Sequence, residues 1–156
     1  MLVAGGKAKD SEEAKKALDA VIADGSALKK LAEFVAAQGG DADVVYHPEK
    51  LPQATIICPV PAPSGGYLSH IVCDEVGICS LILGGGRETK ESEIDLSVGL
   101  VLCKKVGDYV AAGEPLAKIY ANDERKAAEA KKRYLAACTI TDKAPEQSPF
   151  IKGIIC

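Results

Sequence analysis

Residues 106–116, Val-Gly-Asp-Tyr-Val-Ala-Ala-Gly-Glu-Pro-Leu, decide how the second part of this chain folds. Gly107-Asp108 and Ala112-Gly113 are turn dipeptides. Apolar residues stand before, between and after the two dipeptides. The stretch therefore predicts three short strands joined by two tight turns, which form a compact corner at the edge of an antiparallel sheet.

The flanking sequence predicts further short strands on both sides of this corner. Pro59, Pro61 and Pro63 follow the first of them. Because proline cannot donate to a central ladder, that segment is predicted to be an edge strand or a strand end. The predicted strands are 55–58, 67–72, 98–106, 116–121, 138–141 and 150–155.

Two helices are predicted between these strands. Asp74 is the expected N-cap of the first, which ends at Gly84–Gly86, and Asn122 or Asp123 is the expected N-cap of the second. A narrow buried stripe is predicted on the second helix, made by Ala127, Ala130, Tyr134 and Ala137. Residues 54–156 are therefore predicted to be an α+β domain, a small and mostly antiparallel β-hammerhead of the barrel-sandwich kind with two helices.

The first forty residues predict a helical hairpin. Asp10 or Ser11 is expected to begin the first helix, Gly25 to end it, and Ser26 to cap the second. Residues 41–53 are predicted to be a linker. The hairpin has no partner of its own, so we expect an exposed apolar face on it that includes Val21, Ile22, Leu31 and Val35.

Composition excludes several classes of function. The chain has 156 residues, of which 47% are hydrophobic, and its net charge is −3. This net charge gives no broad basic field, so we do not expect binding to nucleic acid that is driven by electrostatics. The sequence has no run of about 20 apolar residues, the length that spans a bilayer. Its N-terminus lacks the charged and apolar regions of a signal peptide. We therefore expect a cytoplasmic protein that binds neither nucleic acid nor membrane.

The cysteines and histidines do not predict a metal or cofactor site. None of the six cysteines forms a C-x-x-C pair, and the chain has two histidines, His47 and His70. Neither histidine has a partner in a catalytic or metal-binding motif. We expect reduced, buried thiols, no metal and no cofactor in this chain.

Gly84-Gly85-Gly86-Arg87 is the most suggestive chemical element in the sequence. Glycines let backbone N–H groups approach an anion, and an arginine adds a bidentate contact to phosphate. However, the cluster follows a predicted helix and matches neither common phosphate-binding glycine motif, so its first expected role is a helix C-cap. The sequence contains no catalytic triad or converging pair of carboxylates, and we assign no catalytic residue.

The pattern V-G-D-x-V-x-x-G-x-x-L of residues 106–116 also resembles biotinyl and lipoyl carrier domains. Those families attach their cofactor to a lysine on a following hairpin. In this sequence the strand after Leu116 leads instead to Ala121-Asn122-Asp123-Glu124 and a helix. A binding or carrier module of hammerhead fold, without an evident attachment lysine, therefore remains the alternative.

A more extensive resemblance runs nearly from end to end. The chain resembles the C-terminal third of pyrimidine-nucleoside phosphorylase and thymidine phosphorylase. The segments that carry it are Met1–Ala8, Glu12–Ala14, Ala36–Asp41, Leu51–Ala54, Ser64–Tyr67, Leu83–Glu91, Ile94–Gly99, the 106–116 corner and Ala121–Glu124. The most specific of them is L-G-G-G-R-x-T-K-E, followed by I-D-x-x-V-G.

The resemblance implies a domain of a pentosyltransferase, in which phosphate is the co-substrate and a pyrimidine nucleoside the substrate. The family's phosphate motif, K-H-S-T-G-G-V-G-D, does not occur in this sequence, so the chain alone is expected to be inactive. Residues 54–156 would wall one side of the cleft, and residues 1–40 would pack on catalytic domains upstream in a longer polypeptide that forms a homodimer. Met1 would then be an internal methionine. The loop expected to face the cleft consists of Gly84, Gly85, Gly86, Arg87, Thr89 and Lys90.

Overall fold

A computed structural model describes residues 1–87, 89–146, 149, 151–153 and 155. The chain divides into two compact units, Met1–Leu51 and Pro52–Cys156. No helix in the described part of the chain has the length and apolar character needed to cross a bilayer.

The first unit is built on the predicted helical hairpin. Helix α1 spans Ser11–Ala23 and helix α2 spans Ser26–Ala37. Two short 3₁₀ helices follow at Ala42–Val45 and Pro48–Lys50. As expected, Asp10 caps α1, since its carboxylate accepts a hydrogen bond of 2.9 Å from the Glu13 N–H.

The expected cap of α2 is wrong. Gly25, with φ of 77°, is the N-cap, and Ser26 is the first helical residue. The reason lies one residue earlier in the chain. The carboxylate of Asp24 accepts the Ser26 N–H at 2.8 Å. This N–H is the first donor of α2 that has no partner within the helix, so Asp24 supplies the hydrogen bond expected from a capping side chain.

The hairpin exposes an apolar face, as the sequence predicts. Val21, Ile22 and Leu31 are 37%, 70% and 48% exposed, while Val35 is only half-buried rather than exposed. Three further apolar side chains of the two helices are exposed: Leu18, Leu28 and Phe34. An apolar surface of this extent is unusual for a free soluble unit and is typical of a surface that another element covers.

The second unit contains two antiparallel sheets of three strands each, which confirms the prediction of a small, mostly antiparallel α+β domain. The first sheet has the order β1-β5-β3 and the second the order β4-β2-β6. The strands are β1 (Ile56–Pro61), β2 (Gly66–Ile71), β3 (Gly99–Leu102), β4 (Tyr109–Val110), β5 (Pro115–Ala121) and β6 (Cys138–Thr141).

Both turns of the 106–116 corner form as predicted. The carboxylate of Asp108 accepts the Lys105 N–H at 2.8 Å, and that of Glu114 accepts the Ala111 N–H at 3.0 Å. Lys104 braces the corner through an ion pair of 2.6 Å with Glu114. The motif thus encodes its own turn geometry, because side chains within it bind the backbone of the turns.

Three of the predicted strands differ from the expectation by more than one residue. β1 continues through Pro59 to Pro61, which is possible because β1 lies at a sheet edge, where a proline's missing N–H breaks no ladder on the open side. β3 is shorter than 98–106 and ends at Leu102. Residues 151–153 and 155 do not form the predicted last strand, and Phe150 and Ile154 lie outside the described residues.

Helices α3 (Cys73–Leu83) and α4 (Glu124–Ala137) complete the second unit. Of the two expected caps of α4, Asn122 and Asp123, it is Asp123 that caps the helix, but Asp74 does not cap α3. The Val72 N–H still donates to the Ala137 carbonyl at 3.0 Å, so the chain leaves the sheet and enters the helix at once, with Val72 as the N-cap. The predicted stripe of α4 is confirmed, since these side chains are all buried: Ala127, Ala130, Tyr134 and Ala137.

The core lies between the sheets and these two helices. Its largest fully buried side chains are Val60, Leu68, Cys79, Val110, Leu116, Ile119 and Tyr134. Cys79 joins the helices, because its thiol donates to the Ala130 carbonyl at 3.4 Å. Burial raises the pKa of the Cys79 thiol, which keeps it protonated at neutral pH.

Tyr134 is the largest of the fully buried side chains, and its hydroxyl has no hydrogen-bond partner among the described residues. The Cys138 thiol lies beside it, but the geometry does not form a hydrogen bond. Burial is the main cause that raises the pKa of Tyr134.

We therefore expect Tyr134→Phe to leave the free energy of unfolding unchanged or to raise it by up to about 1 kcal/mol, because it removes a buried polar group that lacks a partner. Urea denaturation measures this difference, with Tyr120→Phe on the half-buried face of β5 as the control. A loss of more than about 1 kcal/mol would show that the hydroxyl is hydrogen-bonded in the folded protein.

Candidate functional site

The loop that follows α3 begins with a tight helix cap. Gly84 has φ of 105°, which a residue with a side chain rarely adopts. The Gly84 N–H donates to the Leu81 carbonyl at 3.0 Å, and the Gly85 N–H to the Ser80 carbonyl at 2.9 Å. These bonds satisfy the last carbonyls of α3, so the expected C-cap role of the glycine cluster is confirmed.

Close packing explains the other two glycines. A Cβ at Gly85 would lie 2.8 Å from the Ser80 hydroxyl oxygen and 3.2 Å from its carbonyl oxygen. A Cβ at Gly86 would lie 3.0 Å from the Leu81 side chain. The chain at Gly85 and Gly86 therefore packs closely against Ser80 and Leu81 in the last turns of α3. This packing sets the point from which the rest of the loop starts.

The polar residues predicted to face a cleft lie on the outer part of this loop. Arg87, Thr89 and Lys90 are all exposed. Thr89 closes a small turn with Ser92: the Thr89 N–H donates to the Ser92 hydroxyl at 3.0 Å, and the two hydroxyls are 3.1 Å apart. Arg87 and Lys90 form no ion pair with an acidic side chain among the described residues.

A cluster of four polar side chains holds the base of the loop. The Asn122 side-chain amide donates to the Asp95 carboxylate at 2.7 Å and to the Ser97 hydroxyl at 2.9 Å. Its oxygen accepts the Thr55 N–H at 2.9 Å and the Thr55 hydroxyl at 3.1 Å. The residue between β5 and α4 therefore connects the loop to the start of β1.

Asp95 is the charged member of this cluster. Its carboxylate accepts the hydroxyl and the N–H of Ser97, at 2.6 Å and 2.9 Å. The Ser97 hydroxyl, the Ser97 N–H and the Asn122 amide, in this order, hold the pKa of the Asp95 carboxyl below its usual value. Asp95 is therefore ionised at neutral pH, which strengthens the hydrogen bonds it accepts.

Sequence reasoning did not predict this cluster. In the sequence, Asp95 and Asn122 belong to separate motifs, and the residue type of Asn122 predicts only one of two possible helix caps. Asp123 takes that role, which leaves the Asn122 side chain free to reach Asp95, 27 residues earlier in the chain. The one available signal was that both motifs belong to the same family resemblance.

The described residues contain no group of three or more side chains that could hold a metal ion. The five described cysteines are free thiols. Only Cys79 is buried, whereas Cys73 and Cys103 are exposed, so the expectation of buried thiols is wrong for those two. Cys73 is the first residue of α3, and Cys103 directly follows β3. Cys156 lies outside the described residues.

Comparison with known proteins identifies the family. Residues 67–141, which include the loop and the 106–116 corner, match the pyrimidine nucleoside phosphorylase C-terminal domain. The chain is 46% identical over 155 residues to the pyrimidine-nucleoside phosphorylase of Bacillus subtilis. The chain belongs to this family.

Other relatives of this phosphorylase domain are similarly close. The chain is 56% identical over 119 residues to the pyrimidine-nucleoside phosphorylase of Geobacillus stearothermophilus, a match to 76% of this chain and 28% of that protein. It is 42% identical over 155 residues to the enzyme of Staphylococcus aureus, a match to 99% of this chain. The Bacillus subtilis match covers 91% of this chain and 36% of the relative. The phosphorylase domain and its preceding hairpin therefore span about a third of the length of these relatives.

The family assignment and the path of the chain both argue against the carrier alternative. In the phosphorylase domain, β5 ends at Ala121 and α4 begins at Glu124. A helix thus occupies the position where a carrier domain would place its attachment hairpin. The resemblance to carrier domains is limited to the local corner.

Proposed function

We propose that this chain is the C-terminal part of a pyrimidine-nucleoside phosphorylase, where the second unit forms one wall of the substrate cleft and has no catalytic activity alone. The observation that carries this proposal is identity of 42–56% to enzymes of that name, over about a third of their length. A domain this similar is expected to keep its position in the whole enzyme.

In the proposed reaction a phosphate oxygen bonds to C1′ of the pentose as the bond from C1′ to the pyrimidine nitrogen breaks. The products are the free base and a pentose 1-phosphate. Such a transfer needs a cradle for the phosphate and stabilisation of the charge that develops on the departing base. The family's phosphate motif is absent from this sequence, so we assign both tasks to the rest of the polypeptide.

The contribution of this domain would come from the loop that carries Arg87, Thr89 and Lys90. Its two cationic side chains are exposed and lack ion-pair partners among the described residues. Phosphate and sugar phosphate are anions, and an arginine binds such groups through two parallel N–H donors. We propose that closure of the cleft brings this loop over the anionic ligand.

The exposed face of the hairpin supports the same placement. Ile22 and Phe34 are 70% and 62% exposed, and burying either side chain contributes about 1.5–3 kcal/mol. We propose that the upstream catalytic domain of the same polypeptide covers this face. The whole enzyme would be a cytoplasmic homodimer that takes a pyrimidine nucleoside and phosphate and uses no further cofactor.

Arg87→Ala tests the role of the loop. We expect the free energy of unfolding of this chain to change by no more than about 0.5 kcal/mol, as for an exposed site. In the whole enzyme we expect kcat/KM for phosphorolysis to fall by about ten- to hundred-fold, because a charged contact to the anion is lost. Phosphate-dependent release of thymine or uracil measures the rate.

Arg125→Ala is the matched control, because it removes the same side chain from an exposed position at the start of α4. It should leave kcat/KM within about two-fold of the wild type. Equal rates for the Arg87 and Arg125 variants would contradict a role of the loop at the cleft.

A further inference from the structure

The Asn122 side chain uses its full hydrogen-bonding capacity. An amide offers two donors and two acceptor positions. Both donors of Asn122 are directed to the loop, at Asp95 and Ser97, and both acceptor positions are directed to Thr55. Three segments that are distant in sequence therefore meet at one side chain.

This side chain closes the loop at its far end. At the near end, Gly84 is fixed by the cap of α3, and its carbonyl accepts the Asp95 N–H at 2.9 Å. Asp95 in turn is held by Asn122. The two ends of the loop that carries Arg87 and Lys90 therefore meet at one point, so the entropic cost of closing the loop is already met in the folded unit.

We propose that Asn122 is a positioning residue that fixes the base of the 84–97 loop and thereby sets the direction in which Arg87 and Lys90 reach the ligand. This inference rests on the proposed function, because that function places the loop at the cleft. Asn122 itself need not touch the ligand. It acts through Asp95 and the backbone that Asp95 holds.

An amide is the side chain that this position requires. Thr55 presents two donors and Asp95 presents an ionised acceptor, so the connecting group must accept on one side and donate on the other. An aspartate at position 122 would keep the bonds to Thr55 and would place a second carboxylate against Asp95. Among the described residues, Lys126 is the further charged side chain that acts on Asp95, and its charge also favours the ionised form.

The first test is amide hydrogen exchange on this chain. In Asn122→Ala we expect exchange of the backbone amides in 85–95 to accelerate about ten-fold or more, while the amides of β5 change by less than that. Lys104→Met is the matched control, because it removes polar contacts of the same unit near the other end of β5, namely the ion pair with Glu114 and the hydrogen bond of 3.0 Å to the Tyr109 carbonyl. It should leave exchange in the loop unchanged.

The second test is a double-mutant cycle in the whole enzyme. Asn122→Ala should lower kcat/KM about ten-fold, and adding it to Arg87→Ala should lower the rate by much less than ten-fold, because both changes act on one contact. A role in stability alone would give independent losses that multiply. Any fold loss in kcat/KM caused by Lys104→Met should be independent of Arg87→Ala, so that the two losses multiply in the double variant.

The third test uses pH in Asn122→Asp. Two facing carboxylates cannot both remain ionised at low cost, so the pKa of one is raised and the pair shares a proton as the pH falls. At about pH 5 the protonated group can donate to its neighbour, so loop exchange, corrected for intrinsic rates, should move back toward the wild type relative to about pH 7.5. Asn122→Ala should show no such recovery.

Three results would overturn the inference: loop exchange in Asn122→Ala equal to the wild type, independent losses in the cycle with Arg87→Ala, or equal pH dependence in the Ala and Asp variants. If the wild-type whole enzyme itself releases no base from a nucleoside, the proposed function fails and this inference fails with it. An active wild type with an unaffected Asn122→Ala variant overturns the inference alone.

Discussion

Replacing Leu116 by Ala is expected to lower the free energy of unfolding of the second unit by about 2–5 kcal/mol. Leu116 is the last residue of the 106–116 corner, and its side chain is fully buried. Its carbonyl also accepts the Cys103 and Lys104 N–H groups at 2.9 Å and 3.2 Å. These bonds hold the backbone of Leu116 in place near the start of β5, and the backbone in turn positions the side chain. Removing its methyl groups leaves a cavity that the short, paired strands around it cannot fill by collapse.

Leu96→Ala provides the matched control, because the same atoms are removed from a side chain that is 81% exposed. It should cost no more than about 0.5 kcal/mol. Urea denaturation followed by circular dichroism and tyrosine fluorescence measures both variants. Similar losses in the two variants would mean that the corner does not deliver Leu116 to the core.

The purified 156-residue chain is expected to release no thymine from thymidine and no uracil from uridine, with or without phosphate. The physical reason is that the cradle for phosphate and the groups that stabilise the departing base are not among its residues, and such groups supply most of the rate enhancement in a transfer of this kind. The pyrimidine-nucleoside phosphorylase of Bacillus subtilis, assayed in parallel, is the positive control. Phosphate-dependent base release by the chain alone would overturn the assignment of catalysis to the upstream domains.

The local features of the fold follow from the sequence because each is encoded by neighbouring residues. The 106–116 corner contains its own turn-binding carboxylates, Asp108 and Glu114. The stripe of α4 follows from helical periodicity alone, and the hydrogen-bonding preferences of Asn122 and Asp123 restrict its N-cap to these two residues, of which Asp123 takes the role. No long-range information is needed for any of these features.

The misplaced boundaries have their cause in tertiary contacts. Asp74 is a good N-cap by residue type, but the bond from the Val72 N–H to the Ala137 carbonyl sets the N-cap of α3 two residues earlier than the side chain suggests. Pro59 would end an interior strand, yet β1 continues because it is an edge. For α3 and β1, residue propensity therefore predicts the type of element, whereas tertiary contacts determine where the element begins or ends.

The candidate site also has one part that the sequence predicts and one part that only the structure shows. The glycine cap and the polar loop after it are contiguous, so sequence alone identifies them. The cluster that holds them joins Thr55, Asp95 and Asn122, which are separated by 27 and 67 residues in the pairs that touch. Neither periodicity nor propensity carries information on such pairs, so only the three-dimensional structure places Asn122 at the base of the loop.

The most direct test of the account is the activity of the whole reading frame that contains this chain. Its purified product should convert thymidine or uridine to free base and pentose 1-phosphate in equal amounts, and should do so only when phosphate is present. Base release without phosphate, or no release under conditions where the Bacillus subtilis enzyme is active, would contradict the claim that this chain is part of a pyrimidine-nucleoside phosphorylase.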